Sequence, residues 1–276
     1  VVTGRGDLLT CSPGRHPDLF DAVRAGLGQV GVITRATLRL APAPGSARRF
    51  LLAYPDLAAM LADQRQLLRD GRFDAVQGAI LPGPVFRIEA VRPFGGPPPD
   101  DDAPLAGLSD DPSRREASTL GYLEYLDRLS ALEAALRADG QWGFPHPWLT
   151  TFVGETAVES VVGGELARLD PRADLGPLGQ AALNPIRRDA VRTPLLRMPP
   201  DPLVHAFNLI RLPAADDAGE AWRLVAANRA AYERIRDAGG TLYPVSALPM
   251  SGADRRAHLG PAFRAPGGRA ARLRPG

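Results

Sequence analysis

Three glycines in "AGLGQVGVITRA", Gly26, Gly28 and Gly31, have the spacing G-x-G-x-x-G. In a dinucleotide-binding turn that spacing lets backbone N–H groups approach a pyrophosphate. The chemistry needs a strand before the first glycine and a helix after the third, so that a helix N-terminus faces the phosphates. Here the order is reversed. "DLFDAVRAG" reads as a helix opened by Pro17 and Asp18, with Leu19, Phe20, Ala22 and Val23 on one face, and "VGVITRATLRLAPAP" reads as a long alternating strand. A Rossmann phosphate loop is therefore excluded. What remains is a helix-to-strand turn. Its glycines either cap the helix and permit close packing, or let a flat ligand lie against bare backbone.

Other residue types capable of chemistry are sparse. Cys11 stands alone, which removes an intrachain disulfide and a cysteine-rich zinc site, and its strand-like context reads as a buried small hydrophobe rather than a nucleophile. Asp100 to Asp102 sit in "GGPPPDDDAPLAGLSDDPS", a Pro-rich acidic surface loop; consecutive carboxylates point apart, so no metal site is expected there. His146 precedes Pro147 in "FPHPWLTTFV" and reads as a structural hydrogen-bonding residue rather than an acid–base group.

The elements that must position these residues fall into two regions. The opening "VVTG" and "LLTCS" read as short strands around a Gly-rich turn, and "PAPG", Pro42 to Gly45, ends the first region like a domain boundary. The second begins with the strand "RRFLLAY" and a helix with Asp56 as N-cap and Gly71 as stop. "DAVQGAIL" and "VFRIEAVRPF" read as a hairpin across "PGP". "GYLEYLDRLSALEAALRADG" reads as one amphipathic helix ending at Gly140, followed by strands around "AALNPIRR" and "LVHAFNLIRL" and a helix closed by Gly239 and Gly240. "TLYPVSALPMSGADRRAHLGPAF" reads as structured, and the Arg, Ala, Pro and Gly tail after it as disordered.

Composition limits the partners. The 276 residues are 45% hydrophobic and 23% charged, those of a globular chain, and no run nears the roughly 18 apolar residues of a membrane span. Net charge is +2, and every basic residue is an arginine interleaved with Asp and Glu. Such a mixed surface, with 6% aromatic residues, argues against a nucleic-acid partner. Any targeting signal is expected to precede Val1, so no localisation is read.

The blocks "VVTGRGDLLTCSP", "DLFDAVRAGLGQVGVITRATLRLAPAP", "YLEYLDRL" and "FPHPWLTTFV" together resemble cytokinin dehydrogenase (cytokinin oxidase), a family of FAD-linked oxidases of the vanillyl-alcohol-oxidase type. The resemblance implies an α+β chain, the C-terminal part of a flavin-binding domain interrupted by an antiparallel-sheet cap domain with helices. Residues 1–44 would end the first FAD-binding lobe, 45–238 form the substrate cap and 239–276 return in part to the flavin domain. It implies FAD as cofactor and a small-molecule substrate, an N6-substituted adenine or similar amine. The side chain of that adenine would be cleaved oxidatively to adenine and an aldehyde. Another amine or an alcohol as substrate, or an inactive fragment, are the alternatives. Gly31, Val32, Ile33 and Tyr243 are the implied flavin contacts; Glu133, Trp148 and Thr150 are the implied substrate contacts, Thr150 standing where the plant enzymes tend to have asparagine. The family's covalent histidine and its catalytic aspartate match no position here; the resemblance implies that both lie upstream of Val1. No catalytic residue is therefore assigned, and the chain is expected to be a fragment that holds FAD weakly alone.

Overall fold

The computed structural model describes residues 1–260 apart from 27 and 84. The expected disordered tail, from Arg264 on, lies outside them. Residues 1–44 form a small unit. In it β1 (Val2–Thr3) pairs antiparallel with β2 (Gly31–Val32), and α1 (Pro17–Val23) lies between them in the chain. Val1 is tied into this unit at both backbone ends: its amino nitrogen donates to the Leu9 carbonyl at 2.9 Å, and its carbonyl accepts the Leu9 N–H at 2.8 Å. The long strand expected after Gly31 is corrected here: pairing stops at Val32, and Leu38 and Leu40 are exposed at 77% and 90%. Residues 33–44 carry the alternation of a strand, but no described strand donates or accepts along them, and a strand exists only through its neighbour. "LLTCS" likewise contributes only two isolated bridges among the described residues, Leu8 to Val2 and Ser12 to Arg15, and Cys11 is half-buried rather than buried.

From residue 46 the chain builds one antiparallel sheet. In chain order come β3 (Ser46–Tyr54), α2 (Leu57–Asp70), β4 (Ala75–Leu81), β5 (Val85–Phe94), α3 (Asp102–Leu105) and β6 (Glu116–Gly121). They are followed by α4 (Tyr122–Leu126), α5 (Ser130–Ala138), β7 (Leu149–Gly154), α6 (Val158–Leu166) and β8 (Gln180–Arg187). The rest is β9 (Leu203–Ile210), α7 (Ala218–Asp237), β10 (Thr241–Leu242) and α8 (Gly252–Leu259). The eight strands lie in the order β10-β7-β9-β8-β4-β5-β3-β6. The sheet thus takes in residues 241–242, which pair with β7.

Local signals account for the main helices. Asp56 accepts the Ala59 N–H at 2.8 Å to start α2, and Gly71, at φ 63°, returns its N–H to Leu67 to end it. Asp217 accepts from Gly219 and Glu220 to start α7. Leu57, Met60, Leu61 and Leu67 of α2, Val158 and Val162 of α6, and Ala231, Tyr232 and Ile235 of α7 bury one face of the sheet. That face presents Phe50, Leu52, Ile80, Ile88, Leu183, Phe207, Leu209, Leu149 and Val153.

The single helix expected over 121–140 is two. A continuous helix needs the Leu129 N–H on the Tyr125 carbonyl, but that oxygen already takes the Arg128 N–H at 3.3 Å and its guanidinium at 3.1 Å. Arg128 turns instead toward Gln77 and Glu89 on the sheet, which docks α4 against the face opposite the three long helices.

Candidate functional site

On that second face the alternation of the strands brings small and polar side chains to the surface. The register sets Thr150 of β7 beside Asn208 of β9, Asn208 beside Ala182 of β8, and Ala182 beside Ala79 of β4. Two apolar clusters flank this row: Phe152, Val204 and Ala206 under Leu196 and Met198, and Ala47 and Val91 under Tyr125 of α4. Between them Ala79, Thr150 and Asn208 are partly exposed and Ala182 is buried.

At the β7 edge three of the sequence-predicted residues come together. The Tyr243 N–H donates to the Thr150 carbonyl at 3.0 Å, and the Tyr243 ring stands edge-on to Phe152 at 5.8 Å. Ser246 ties the same turn down: its hydroxyl oxygen accepts the Thr150 N–H at 3.0 Å and lies 3.0 Å and 3.1 Å from the carbonyls of Tyr243 and Thr150. Trp148, two residues before Thr150, accepts the Ala247 N–H on its carbonyl at 2.8 Å and donates its indole N–H to the Arg211 carbonyl at 2.9 Å. Its ring stays 45% exposed although its polar atom is satisfied within the protein.

Glu133, on α5, is reached through a ladder of contacts. It pairs with Arg137 one turn on at 2.8 Å; the Arg137 guanidinium lies over the Trp142 ring at 4.5 Å. Trp142 meets His146 edge-on at 6.4 Å, and His146 stacks on Trp148 at 6.2 Å with 27° between the rings. His146 therefore serves as an aromatic spacer between two tryptophans, in place of the structural hydrogen bond expected from sequence.

Gly31, Val32 and Ile33 lie apart, on the separate ribbon. A Cβ on Gly31 would come 2.7 Å from the Val2 carbonyl oxygen and 2.9 Å from Val1 Cγ1, and one on Gly26 would come 2.1 Å from the Ala22 carbonyl oxygen. Both glycines are thus required by close approach, and Val1 acts here as a packing residue against the glycine turn. Val32 and Ile33 are exposed at 63% and 52%. The Asp100 to Asp102 run is consumed structurally: Asp100 accepts the Asp102 and Ala103 N–H groups, and Asp101 pairs with Arg48.

Two groups that sequence reasoning missed support this site. Arg211 is 1% exposed, and burial pushes its guanidinium down to about 10, still charged at neutral pH, with Asp174 opposing the shift. Its Nε donates to Asn228 Oδ1 at 3.0 Å, and Asn228 is fully buried in α7. Both were legible in principle. Arg211 continues the inward phase of Leu203, His205, Phe207 and Leu209, and Asn228 lies on the same stripe as Leu224, Ala231 and Ile235.

The fold is shared with solved oligosaccharide oxidases. The chain superposes on a xylooligosaccharide oxidase from Myceliophthora thermophila with a TM-score of 0.64 at 13% identity, covering 94% of this chain and 59% of that one. A chitooligosaccharide oxidase gives 0.59 at 13% identity, covering 99% and 62%. Residues 103–233, which contain Glu133, Trp148, Thr150, Arg211 and Asn228, match the family model described as cytokinin dehydrogenase 1, FAD and cytokinin binding. The chain is a partial match to the cytokinin dehydrogenase family of flavoprotein oxidoreductases, as its sequence blocks indicated. It is 36% identical over 270 residues to an uncharacterized oxidoreductase of the fasciation locus of Rhodococcoides fascians, covering 96% of this chain and 60% of that protein. To the rice protein cytokinin dehydrogenase 10 it is 31% identical over 288 residues, covering 87% and 51%. The chain therefore spans about half to three-fifths of the length of these relatives.

Proposed function

We propose that this chain carries the substrate-facing part of an FAD-dependent oxidoreductase that cleaves the side chain of an N6-substituted adenine. The observation that carries the reading is the continuous ladder Glu133, Arg137, Trp142, His146 and Trp148, ending beside Thr150 and Tyr243 on the second sheet face. A planar heteroaromatic ligand suits it. Trp148 offers an exposed, fixed ring for stacking, and Glu133 offers a carboxylate that accepts from a purine N–H. Thr150 supplies one hydroxyl on β7, two residues after Trp148, and Glu133 stands at the far end of the ladder. Residues 1–44, 45–238 and 239–276 are our proposed division into flavin lobe, substrate cap and return to the flavin domain.

The residues proposed to meet the flavin lie in two places, Val32 and Ile33 on the ribbon of residues 1–44 and Tyr243 at the β7 edge. Val32 and Ile33 offer exposed apolar side chains on extended backbone, and Tyr243 a partly exposed phenol. The glycine turn of residues 26–31 leads into a strand, so it is not a pyrophosphate cradle. FAD, when bound, supplies the hydride-accepting chemistry that amino-acid side chains lack. This chain's own residues bind and orient the substrate and exclude water from its apolar side chain; none of them is assigned as acid or base.

A second reading keeps the flavin chemistry and replaces the adenine by an alcohol, favoured by Thr150 in place of an amide side chain. The test is anaerobic titration of the FAD-loaded protein with isopentenyladenine. Loss of the oxidised-flavin absorption band supports the adenine reading. A band bleached by a sugar alcohol and untouched by isopentenyladenine supports the second.

A further inference from the structure

Arg211 and Asn228 form a buried polar pair that no described carboxylate satisfies by a side-chain hydrogen bond. Asn228 Nδ2 donates to the Pro147 carbonyl at 2.9 Å and to the Ala247 carbonyl at 3.1 Å, while its Oδ1 holds Arg211. Arg211 also donates to the Asp174 carbonyl. One amide side chain thus fixes the residue before Trp148, the residue whose N–H holds the Trp148 carbonyl, and the arginine whose carbonyl holds the Trp148 indole.

Such a pair is a poor device for stability alone. A buried guanidinium facing mainly neutral acceptors bears most of its desolvation cost, and apolar replacements of similar size are often neutral or stabilising. What the pair does supply is position. A half-exposed tryptophan has little packing to choose its rotamer. Here the carbonyl and the indole N–H of Trp148 are each tied, through one partner, to the same buried amide.

We propose that Asn228, together with Arg211, is a positioning residue that holds the Trp148 ring in one orientation for a stacked heteroaromatic ligand. The ligand class rests on the proposed function; the orienting role does not. Neither residue touches the second face. Their effect on binding passes through Trp148 and the turn that carries Tyr243 and Ser246.

The test replaces the pair by apolar groups, Arg211→Met with Asn228→Leu, the exchange that preserves packing. Asn228→Asp is the second variant. It keeps an acceptor for Arg211 but sets oxygen against the Pro147 and Ala247 carbonyls. The readout is hydrogen exchange of the Trp148 indole N–H by NMR, its resonance identified with Trp148→Phe. In the parent chain this proton should exchange at least about tenfold more slowly than that of Trp222, which is 70% exposed. In both variants its rate should rise toward that of Trp222, with global unfolding of the apolar pair unchanged or at higher temperature. Isopentenyladenine affinity, by equilibrium dialysis on the same proteins, should fall about tenfold, or roughly 1.4 kcal/mol. Unchanged indole protection in either folded variant overturns the positioning role. A parent chain that does not bind isopentenyladenine, yet loses indole protection in the variants, overturns the ligand class and leaves the positioning role standing.

Discussion

His205 offers the sharpest physical test of the fold. It lies on β9 facing the helices, is 0% exposed, and neither ring nitrogen has a hydrogen-bond partner among the described residues. Burial, reinforced by the nearby Arg65, pushes its pKa down to about 4 from an ordinary 6.5. The unfolded chain therefore takes up a proton that the folded chain refuses. The sign follows: the full stability is present above the unfolded value of about 6.5, declines as pH falls through the interval, and levels off below about 4. Between about pH 7.5 and about pH 4.5 the loss from this one group is about 2 to 3 kcal/mol. His205→Leu removes the titration and keeps an apolar filling between Val153 and Pro185, its cross-strand neighbours. His258, also lowered by burial and by Arg197, contributes in the same direction in both proteins and cancels in the comparison. The assay is urea unfolding at both pH values. The parent chain should lose about 2 to 3 kcal/mol more than the variant on acidification. Equal losses would refute the buried neutral imidazole.

Other expectations concern packing and the site. Gly78→Ala should cost about 1 to 3 kcal/mol in thermal or urea unfolding, because its Cβ would stand 2.4 Å from the Leu183 carbonyl oxygen and 2.5 Å from Gln64 Nε2. Glu165→Gln should lower stability by about 1 kcal/mol, since it breaks the two-pronged 2.7 Å pair that joins α6 to a half-exposed Arg234 on α7. Glu133→Gln should leave unfolding within about 0.5 kcal/mol, its Arg137 partner being a solvent-facing pair one helical turn away, while weakening isopentenyladenine binding in dialysis. Unaltered binding would remove Glu133 from the site.

Several elements were legible because their signals are local. Asp56 and Gly71 bracket α2 by capping chemistry, and the hairpin of β4 and β5 follows from alternation around a Pro-Gly turn. The misreadings have non-local causes. Residues 33–44 have the alternation of a strand, yet pairing partners decide whether it forms. The 121–140 helix breaks at Arg128, whose N–H and guanidinium both take the Tyr125 carbonyl while the guanidinium also reaches Gln77 and Glu89 on the sheet. β6 and α6 carried weak signals: "VESVVGGEL" contains two glycines and three valines, poor helix formers that hold as a helix through Val158 and Val162 in the core. For the site, the segment 146–150 stood out because it lies in a block that carries the family resemblance, but the polar pair beneath it shows only when the inward phase of β9 and the stripe of α7 are followed, to Arg211 and Asn228.

The second sheet face beside Trp148 is proposed to serve an FAD-dependent oxidation of an N6-substituted adenine. Anaerobic mixing of the FAD-loaded protein with isopentenyladenine tests this most directly. Bleaching of the flavin band with release of adenine, slowed by Trp148→Ala, is the predicted result. A flavin that isopentenyladenine leaves fully oxidised would contradict it.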